Sequence, residues 1–332
     1  MNDETIISEK DIQEAKEANN VVPIRPVRME DYKSLPLEEM AMDVPPPMEY
    51  IFYPCMPTQG ICWVYAATGM GKTMFTLNLA YAIASGGTFL NYTCPKPRRV
   101  LYVDGEMAYN QLHSRVMTIR KHQGEMDFPG HLHFLTPDKI QPVRMPKIDH
   151  PEGQYVYEKK MIDEGFEVVV FDNCSALSNI DMNKGIDWKK ITDWELKLRS
   201  FGKSIINVHH AGKDVNGYRG ASDMMDTADV AISLQPINQN DLEEKIIATK
   251  KFKVNYSKNR NFGGREALPF EVTFTDGIWT CRSMEKSEME MVVDMVGLKM
   301  NQRDIAKDIG MSLGKVNRLI KEAKKLKLLR DE

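Results

Sequence analysis

The sequence predicts an α/β fold built on a central, mainly parallel sheet, followed by a small helical domain. Short apolar runs alternate with amphipathic helical stretches along most of the chain. The runs are apolar on both faces, which is typical of parallel strands covered by helices on two sides. The third observation is a glycine-bearing loop that joins the first of these strands to the first long helix. Together these features favour a layered fold with helices on both faces of the sheet.

Length and composition limit the classes of protein that remain. The 332 residues suffice for two folded units, and 42% hydrophobic with 27% charged residues is ordinary for a globular chain. No apolar run approaches the roughly 20 residues of a membrane helix, so an integral membrane protein is not expected. The N-terminus shows no signal or transit pattern, which predicts a cytoplasmic protein. The five cysteines are scattered, so neither a disulfide framework nor a zinc site is expected.

The net charge is −3, but acidic and basic residues are distributed unevenly along the chain. Residues 1–47 carry eleven acidic and five basic side chains and end in three prolines, whereas residues 299–332 carry ten basic and five acidic ones. Proline lacks the backbone donor that a helix or central strand requires. We therefore expect residues 1–44 to form a flexible acidic arm, 45–283 the main domain and 284–332 a basic helical domain. Scattered apolar residues in the arm suggest docking on an adjacent subunit.

The elements of the main domain follow in order. Predicted strands and helices alternate up to residue 208, and three further strands without long helices between them indicate an antiparallel extension at one edge. The predicted strands are 61–66, 100–103, 132–135, 168–171, 204–208, 230–235, 246–256 and 268–274; the predicted helices are 73–84, 110–122, 152–164 and 187–201.

A phosphate-binding loop follows the first strand. Its sequence, AATGMGKT at 66–73, matches the P-loop pattern with alanine in place of the first glycine. Glycines let backbone N–H groups surround phosphates, Lys72 reaches the β and γ oxygens, and the Thr73 hydroxyl is a ligand for Mg²⁺. The predicted nucleotide contacts are Ala67, Thr68, Gly69, Met70, Gly71, Lys72, Thr73 and Met74.

Carboxylates follow two later strands. Asp172 ends the apolar run VVVFD, where open parallel sheets present ligand groups, so it is the predicted second residue of the Mg²⁺ site. Glu106 follows the strand VLYV and is the preferred base that orients and deprotonates the water attacking the γ-phosphate. Asp104 is the alternative base, and either side chain could instead pair with a cation.

The layout of these motifs resembles RecA-like ATPases. More closely, the segments PPPMEYIFYP (45–54), LYVDGEM (101–107), VVVFDN (168–173), VHHAGK (208–213) and YRGAS (218–222) resemble the plasmid RepA-type hexameric replicative helicases. The resemblance covers roughly residues 45–235. It implies a RecA-like fold and a hexameric ring of subunits, with ATP and Mg²⁺ at each interface and single-stranded DNA in the central channel.

The resemblance also assigns roles. It implies that His210 senses the γ-phosphate, with His209 the less favoured candidate, and that Arg219 is an arginine finger acting on a neighbour's ATP. Lys258-Asn259-Arg260 resembles the K-x-R motif of DnaB-type ring helicases, so Arg260 with Lys258 is a second finger candidate. The sequence does not decide between Arg219 and Arg260. Lys184 and Lys213 stand in loops that in this family grip the DNA backbone.

Residues 301–328 have the pattern of a helix-turn-helix. A turn at Gly310 and a helix capped by Ser312 are expected. The resemblance is to winged-helix domains, which place their second helix in the major groove of duplex DNA. The predicted DNA contacts are Lys315, Asn317, Arg318 and Lys321; a protein-contact module is the alternative.

These features predict a hexameric, ATP-dependent DNA helicase for replication of a plasmid, phage or other mobile element. Two alternatives remain. One is a RecA-like ATPase that serves recombination or helicase loading without unwinding, and the other is a DNA-binding regulator that uses nucleotide as a switch.

Overall fold

The structure is a computed structural model that describes residues 34–180, 185–210, 225–237, 249–284, 288–325 and 328–329. The chain forms two compact units, of which the first ends at Arg282 and the second begins at Ser283.

A nine-stranded sheet forms the centre of the first unit. Its strand order is β13-β12-β11-β10-β3-β9-β8-β6-β7, and two short antiparallel ribbons, β1-β2 and β4-β5, stand outside it. The strands are β1 Tyr50–Phe52, β2 Met56–Pro57, β3 Ile61–Ala66, β4 Thr88–Phe89, β5 Tyr92–Thr93, β6 Val100–Asp104, β7 Leu132–Leu135, β8 Val168–Asp172, β9 Ser204–His210, β10 Val230–Gln235, β11 Thr249–Asn259, β12 Phe270–Thr275 and β13 Ile278–Ser283.

Helices join these strands and cover the sheet. Those of the first unit are α1 Leu37–Met42, α2 Lys72–Ser85, α3 Tyr109–Gln123, α4 Pro151–Asp163, α5 Cys174–Leu177 and α6 Gly185–Ser200. The second unit has α7 Glu288–Gly297, α8 Gln302–Asp308 and α9 Leu313–Lys325. The predicted α/β class with a mainly parallel central sheet and C-terminal helices is therefore confirmed.

The sheet extension differs from the prediction in two respects. β10 runs parallel to β3, so the antiparallel part begins only with β11, which pairs with β10. The chain returns from the carboxyl end of β9 to the amino edge before β10 starts, and this crossover gives β10 the direction of its neighbour. A further strand, β13, lies beside β12 at the edge. It was missed because its side chains are mostly exposed and do not alternate clearly between apolar and polar.

The two faces of the sheet carry separate apolar clusters. Cys62 and Val64 of β3 pack with α2 in one cluster, whereas Ile61 and Trp63 pack with α6 in the other. Successive side chains of a strand point to opposite faces, so a strand that is apolar throughout requires cover on both sides. This explains why the buried strands lack polar alternation.

Register brings four strand ends to one edge of the sheet. Ala66, the last residue of β3, lies opposite His210 of β9, and Asp104 of β6 lies opposite Asp172 of β8. Because these strands are parallel, their carboxyl ends and the loops that follow form a common surface. The predicted catalytic residues Lys72, Glu106 and His210 therefore lie at this edge.

Residues before the first strand are exposed where they are described. Residues 34–49 are all exposed and include α1, which buries none of its side chains. The rest of the predicted arm, residues 1–33, lies outside the described residues.

The second unit is a three-helix cluster around Val292, Ile305, Val316 and Ile320. The Asn301 side chain caps α8 by accepting from the backbone N–H groups of Arg303 and Asp304, and Ser312 Oγ accepts from Lys315 N at 3.3 Å. Gly310 provides the turn between α8 and α9 with φ of +65°. The predicted wing has no counterpart here, because residues 288–325 contain helices and connections but no strand. In the parts of the chain described, no helix is both long and apolar enough to cross a membrane.

Candidate nucleotide-binding and hydrolysis site

The loop between β3 and α2 has the backbone that a phosphate cradle requires. Gly69 and Gly71 have φ values of +82° and +103°, a region in which residues with a Cβ are strained. Gly71 precedes the first residue of α2, so the helix N-terminus faces the loop. Free backbone N–H groups at that position attract anions. The two glycines are thus required by conformation.

Lys72 is held inside this loop. Its Nζ donates to the carbonyl oxygens of Ala66 at 2.9 Å and Ala67 at 3.1 Å. Burial lowers the pKa of Lys72 to about 8, although the nearby carboxylates of Asp172 and Glu106 act in the opposite direction. An anionic phosphate beside Nζ would favour the charged ammonium form.

The two predicted Mg²⁺ residues are in contact with each other. The carboxylate of Asp172, which is almost completely buried, accepts hydrogen bonds from the Thr73 hydroxyl and, at 2.6 Å, from the Tyr102 hydroxyl. Burial raises the pKa of Asp172. A hydroxyl and a carboxylate are hard oxygen ligands that suit Mg²⁺, which takes its other ligands from substrate phosphates and water. Both residues therefore fit this ion.

Glu106 is exposed at the start of the loop after β6, and Asn173 fixes its carboxylate. Asn173 Nδ2 donates to Glu106 Oε2 at 2.5 Å, while Asn173 Oδ1 accepts from Ala176 N at 3.0 Å and so caps α5. The Asn173 side chain is thus held at both ends. This arrangement orients Glu106 toward the same edge as Asp172.

Asp104 makes different contacts from those of Glu106. Its carboxylate is buried and accepts from the backbone N–H groups of Glu106 at 3.3 Å and Met107 at 3.2 Å. Burial raises the pKa of Asp104 to about 6. Because its oxygens are engaged with the loop that carries Glu106, Asp104 is placed to position that loop. The geometry favours Glu106 over Asp104 as the base.

The two histidines at the end of β9 point to opposite faces of the sheet. His210 Nδ1 lies 3.1 Å from Lys72 Nζ and 3.4 Å from Thr68 Oγ1. Burial and the Lys72 charge lower the pKa of His210. Since an ammonium only donates, Nδ1 accepts from Lys72, and Nε2 of the neutral ring carries the proton and can donate to a phosphate oxygen.

His209 lies away from the phosphate loop. Its ring packs edge-on against Trp63 and Trp188, and burial lowers its pKa to about 4. The period of two along a strand explains why only one of the adjacent histidines reaches the P-loop.

The remaining predicted residues fall into two groups. Lys258 and Arg260 are described; both donate to the backbone carbonyl of Asp226, Lys258 at 2.9 Å and Arg260 at 2.5 Å. Arg219, Lys184 and Lys213 lie outside the described residues.

The predicted DNA-contact residues of α9 differ in their availability. Arg318 and Lys321 are exposed, whereas Lys315 pairs with Glu288 and Asn317 is partly buried. The start of α9 is also exposed at Leu313 and Gly314. Arg318 and Lys321 are therefore the cations best placed to meet a partner.

Two functional neighbours were missed from sequence. Asn173 follows Asp172 directly, and its amide at the end of a buried strand was a usable signal. Tyr102 gave no signal, because a tyrosine within an apolar strand cannot be distinguished from a core aromatic residue before the register is known.

The phosphate loop, the Thr73–Asp172 pair and the oriented Glu106 define a P-loop ATPase. The family model of the AAA domain matches residues 26–216, more than half of the chain, and the chain belongs to this family. Among solved structures, a KaiC-like protein from the hyperthermophilic archaeon Pyrococcus horikoshii OT3 is similar, with 14% identity and a TM-score of 0.46; the match covers 68% of this chain and 90% of that one. No curated protein matches the chain. The predicted nucleotide-binding ATPase is thereby confirmed at the level of the family.

Proposed function

We propose that the chain is a hexameric, ATP-dependent DNA helicase in the replication of a plasmid, phage or other mobile element. The observation that carries this proposal is the position of Lys258 and Arg260. They lie at the opposite edge of the sheet from their own P-loop, where Arg260 is exposed and Lys258 partly exposed.

The strand register gives the distance between Arg260 and the P-loop of the same subunit. Arg260 N donates to the carbonyl of Asp229, whose own N–H donates to the carbonyl of Ile61 at the start of β3. The P-loop begins five residues later, after Ala66, and five steps of about 3.3 Å amount to roughly 17 Å along the strand. An arginine this far from its own P-loop contributes to ATP hydrolysis only in trans. A head-to-tail interface of this kind forms a ring where its rotation closes, and the resemblance to ring helicases supports a closed hexamer.

The residues of one subunit would act as follows. Lys72 and the loop N–H groups bind the phosphate chain of ATP, and Thr73 and Asp172 hold Mg²⁺. When bound, Mg²⁺ neutralises phosphate charge. Glu106, oriented by Asn173, accepts the proton of the attacking water, and His210 Nε2–H donates to the γ-phosphate. A finger from the neighbour, Arg260 or Arg219, stabilises the charge that develops on the transferred group.

Coupling to DNA would pass through the loop that follows His210. This histidine contacts Lys72 and Thr68 of the P-loop and directly precedes that segment, so loss of the γ-phosphate would be signalled to the segment through its ring. Lys213 in this segment, and Lys184 in the segment after Asp172, would contact single-stranded DNA in the central channel, with grip by charge and backbone. The second unit would contact duplex DNA through Arg318 and Lys321 of α9.

The decisive experiment is strand displacement on a forked duplex with ATP and Mg²⁺, using Glu106→Gln as the matched inactive protein. The wild type should release the displaced strand, and Glu106→Gln should not. ATP hydrolysis stimulated by single strands without displacement would contradict the helicase and favour a recombination or loading ATPase. Tight duplex binding with negligible turnover would instead favour a nucleotide-switched regulator. Sedimentation of the ATP-bound Glu106→Gln protein measures the number of subunits in the ring.

A further inference from the structure

A lysine from the antiparallel extension reaches the phosphate loop of its own subunit. Lys250, near the start of β11, donates from Nζ to the carbonyl oxygen of Gly69 at the tip of the loop. Its Cδ also lies 3.7 Å from the position that a Cβ on Gly71 would occupy. The side chain thus lies along the loop between Gly69 and Gly71.

The strand register explains this approach. β11 is antiparallel to β10, and Val254 and Leu234 lie opposite each other in the row that ends at Ala66 of β3. Residues before Val254 therefore extend past the carboxyl ends of the parallel strands. Lys250 is the fourth residue beyond this row, which places it level with the phosphate loop.

The alternation of side chains along β11 determines the face of the sheet on which Lys250 lies. Phe252 and Val254 are buried in the same apolar cluster as Phe75 of the P-loop helix. Because side chains two apart share a face, Lys250 points to this side and Lys251 to the other. Lys251 is exposed and carries the same charge, so the chain contains a matched control.

The surroundings of Lys250 are unfavourable to a cation without an anionic partner. Burial lowers the pKa of Lys250, and the nearby Arg115 guanidinium lowers it further. Arg115 is also close enough to Asp172 to affect that carboxylate. A neutral carbonyl on Gly69 is a weak partner for an ammonium placed near a second cation, whereas a polyphosphate would interact with both.

We propose that Lys250 is a phosphate ligand in cis, which moves from the Gly69 carbonyl to the phosphate chain of a bound nucleoside di- or triphosphate. This inference rests on the nucleotide site of the proposed function but not on unwinding. It adds a third loop-facing cation to Lys72 and the trans arginine, and it ties the antiparallel extension to the occupancy of the site.

The test measures ADP binding to the full-length protein by calorimetry and the melting temperature without nucleotide. Lys250→Met keeps the apolar stem over Gly71 and removes the charge, Lys250→Arg keeps the charge, and Lys251→Met is the control. A charge-assisted hydrogen bond is worth a factor of roughly 10–100 in affinity, so Lys250→Met should weaken ADP binding by at least 10-fold. Lys250→Arg should retain most of the affinity, and the melting temperatures should be equal.

Three outcomes would overturn the inference. ADP affinity of Lys250→Met equal to that of Lys251→Met would show that Lys250 does not bind phosphate. A lower melting temperature together with equal affinity losses in Lys250→Met and Lys250→Arg would show that the side chain only supports the loop. If the wild type binds no ADP, the nucleotide site itself fails. If the wild type binds ADP, Lys72→Ala loses this binding and Lys250→Met keeps it, only the role of Lys250 fails.

Discussion

The side-chain amide of Asn173 lies 2.5 Å from Oε2 of Glu106 and also caps the helix that follows it. An amide donor that contacts a carboxylate restricts its rotamer. Asn173, which positions the carboxylate of the proposed base Glu106, is thus the residue next to Asp172, the proposed Mg²⁺ ligand. Any movement of Asp172 would be transmitted directly to Glu106.

Replacing Asn173 should therefore affect turnover more than binding. We expect Asn173→Ala to lower kcat for ATP by about 10-fold or more and to leave KM nearly unchanged, because misplacing a base costs transition-state stabilisation. Asn173→Asp keeps the cap on Ala176 but places a second negative charge beside Glu106. The acid limb of its pH–rate profile should move to higher pH. Unchanged profiles in both variants would show that the contact has no catalytic consequence.

Substitution of the P-loop lysine and the base should separate binding from chemistry. Lys72→Ala should weaken ATP binding, since it removes the ammonium that we propose contacts the phosphates. Glu106→Gln should bind ATP and hydrolyse it roughly 10²–10⁴-fold more slowly, the usual contribution of a general base. Equilibrium binding and steady-state hydrolysis measure the two effects. Near-normal turnover by Glu106→Gln would transfer the role of base to another group.

Mixing defective subunits tests the proposal that an arginine finger acts on the ATP of a neighbouring subunit. Arg260→Ala and Arg219→Ala should each be compared with Arg265→Ala, which removes an exposed arginine in the turn after β11. The true finger variant should bind ATP but lose hydrolysis, because the developing charge lacks its cation. In a mixture with Glu106→Gln, some interfaces combine an intact base from one subunit with an intact finger from its neighbour. ATP hydrolysis should therefore partly return, which ATPase assays detect. Failure of every mixture in rings confirmed by sedimentation would mean that no finger acts in trans.

The sequence-based predictions match the structure best for the buried strands and for the P-loop, whose backbone conformation requires glycine. The predicted boundaries of β3, β7 and β10 match the observed ones residue for residue, because each is a short, largely apolar run. The P-loop is recognisable because its glycines and Lys72 stand in fixed spacing. The choice of His210 over His209, and the contact of Lys250 with Gly69, depend on strand register, which the sequence does not state. The parallel direction of β10 depends on a crossover, which composition does not reveal.

A buried carboxyl group provides a prediction about stability. Glu195 of α6 is fully buried; its Oε1 accepts from Asn207 Nδ2 at 2.6 Å, and its Oε2 has no hydrogen-bond partner. Burial raises the pKa of Glu195 to about 8. In the unfolded chain a glutamate titrates near 4.3, so between these values the folded state binds more protons and loses stability as pH rises.

Glu195→Gln removes this titration and keeps the acceptor for Asn207. Its free energy of unfolding relative to the wild type should rise between pH 5 and pH 8 by an amount of the order of a few kcal/mol. Urea denaturation of both proteins at the two pH values measures the difference. Equal pH dependence in wild type and variant would show that Glu195 does not titrate in this range.

The last prediction concerns the exposed face of α9. Arg318 and Lys321 are exposed, and each phosphate that a cation neutralises releases counterions, so duplex binding should weaken steeply with salt. Arg318→Ala should reduce the slope of log affinity against log salt by about one, whereas Glu322→Gln, which removes an exposed acidic group from the same helix, should strengthen binding. Deleting residues 285–332 should lower duplex affinity and leave basal ATPase activity nearly unchanged, because the catalytic residues described above all precede this segment. Fluorescence anisotropy at two salt concentrations tests all three proteins. Affinities equal to the wild type at both concentrations would show that this unit binds a protein partner and not DNA.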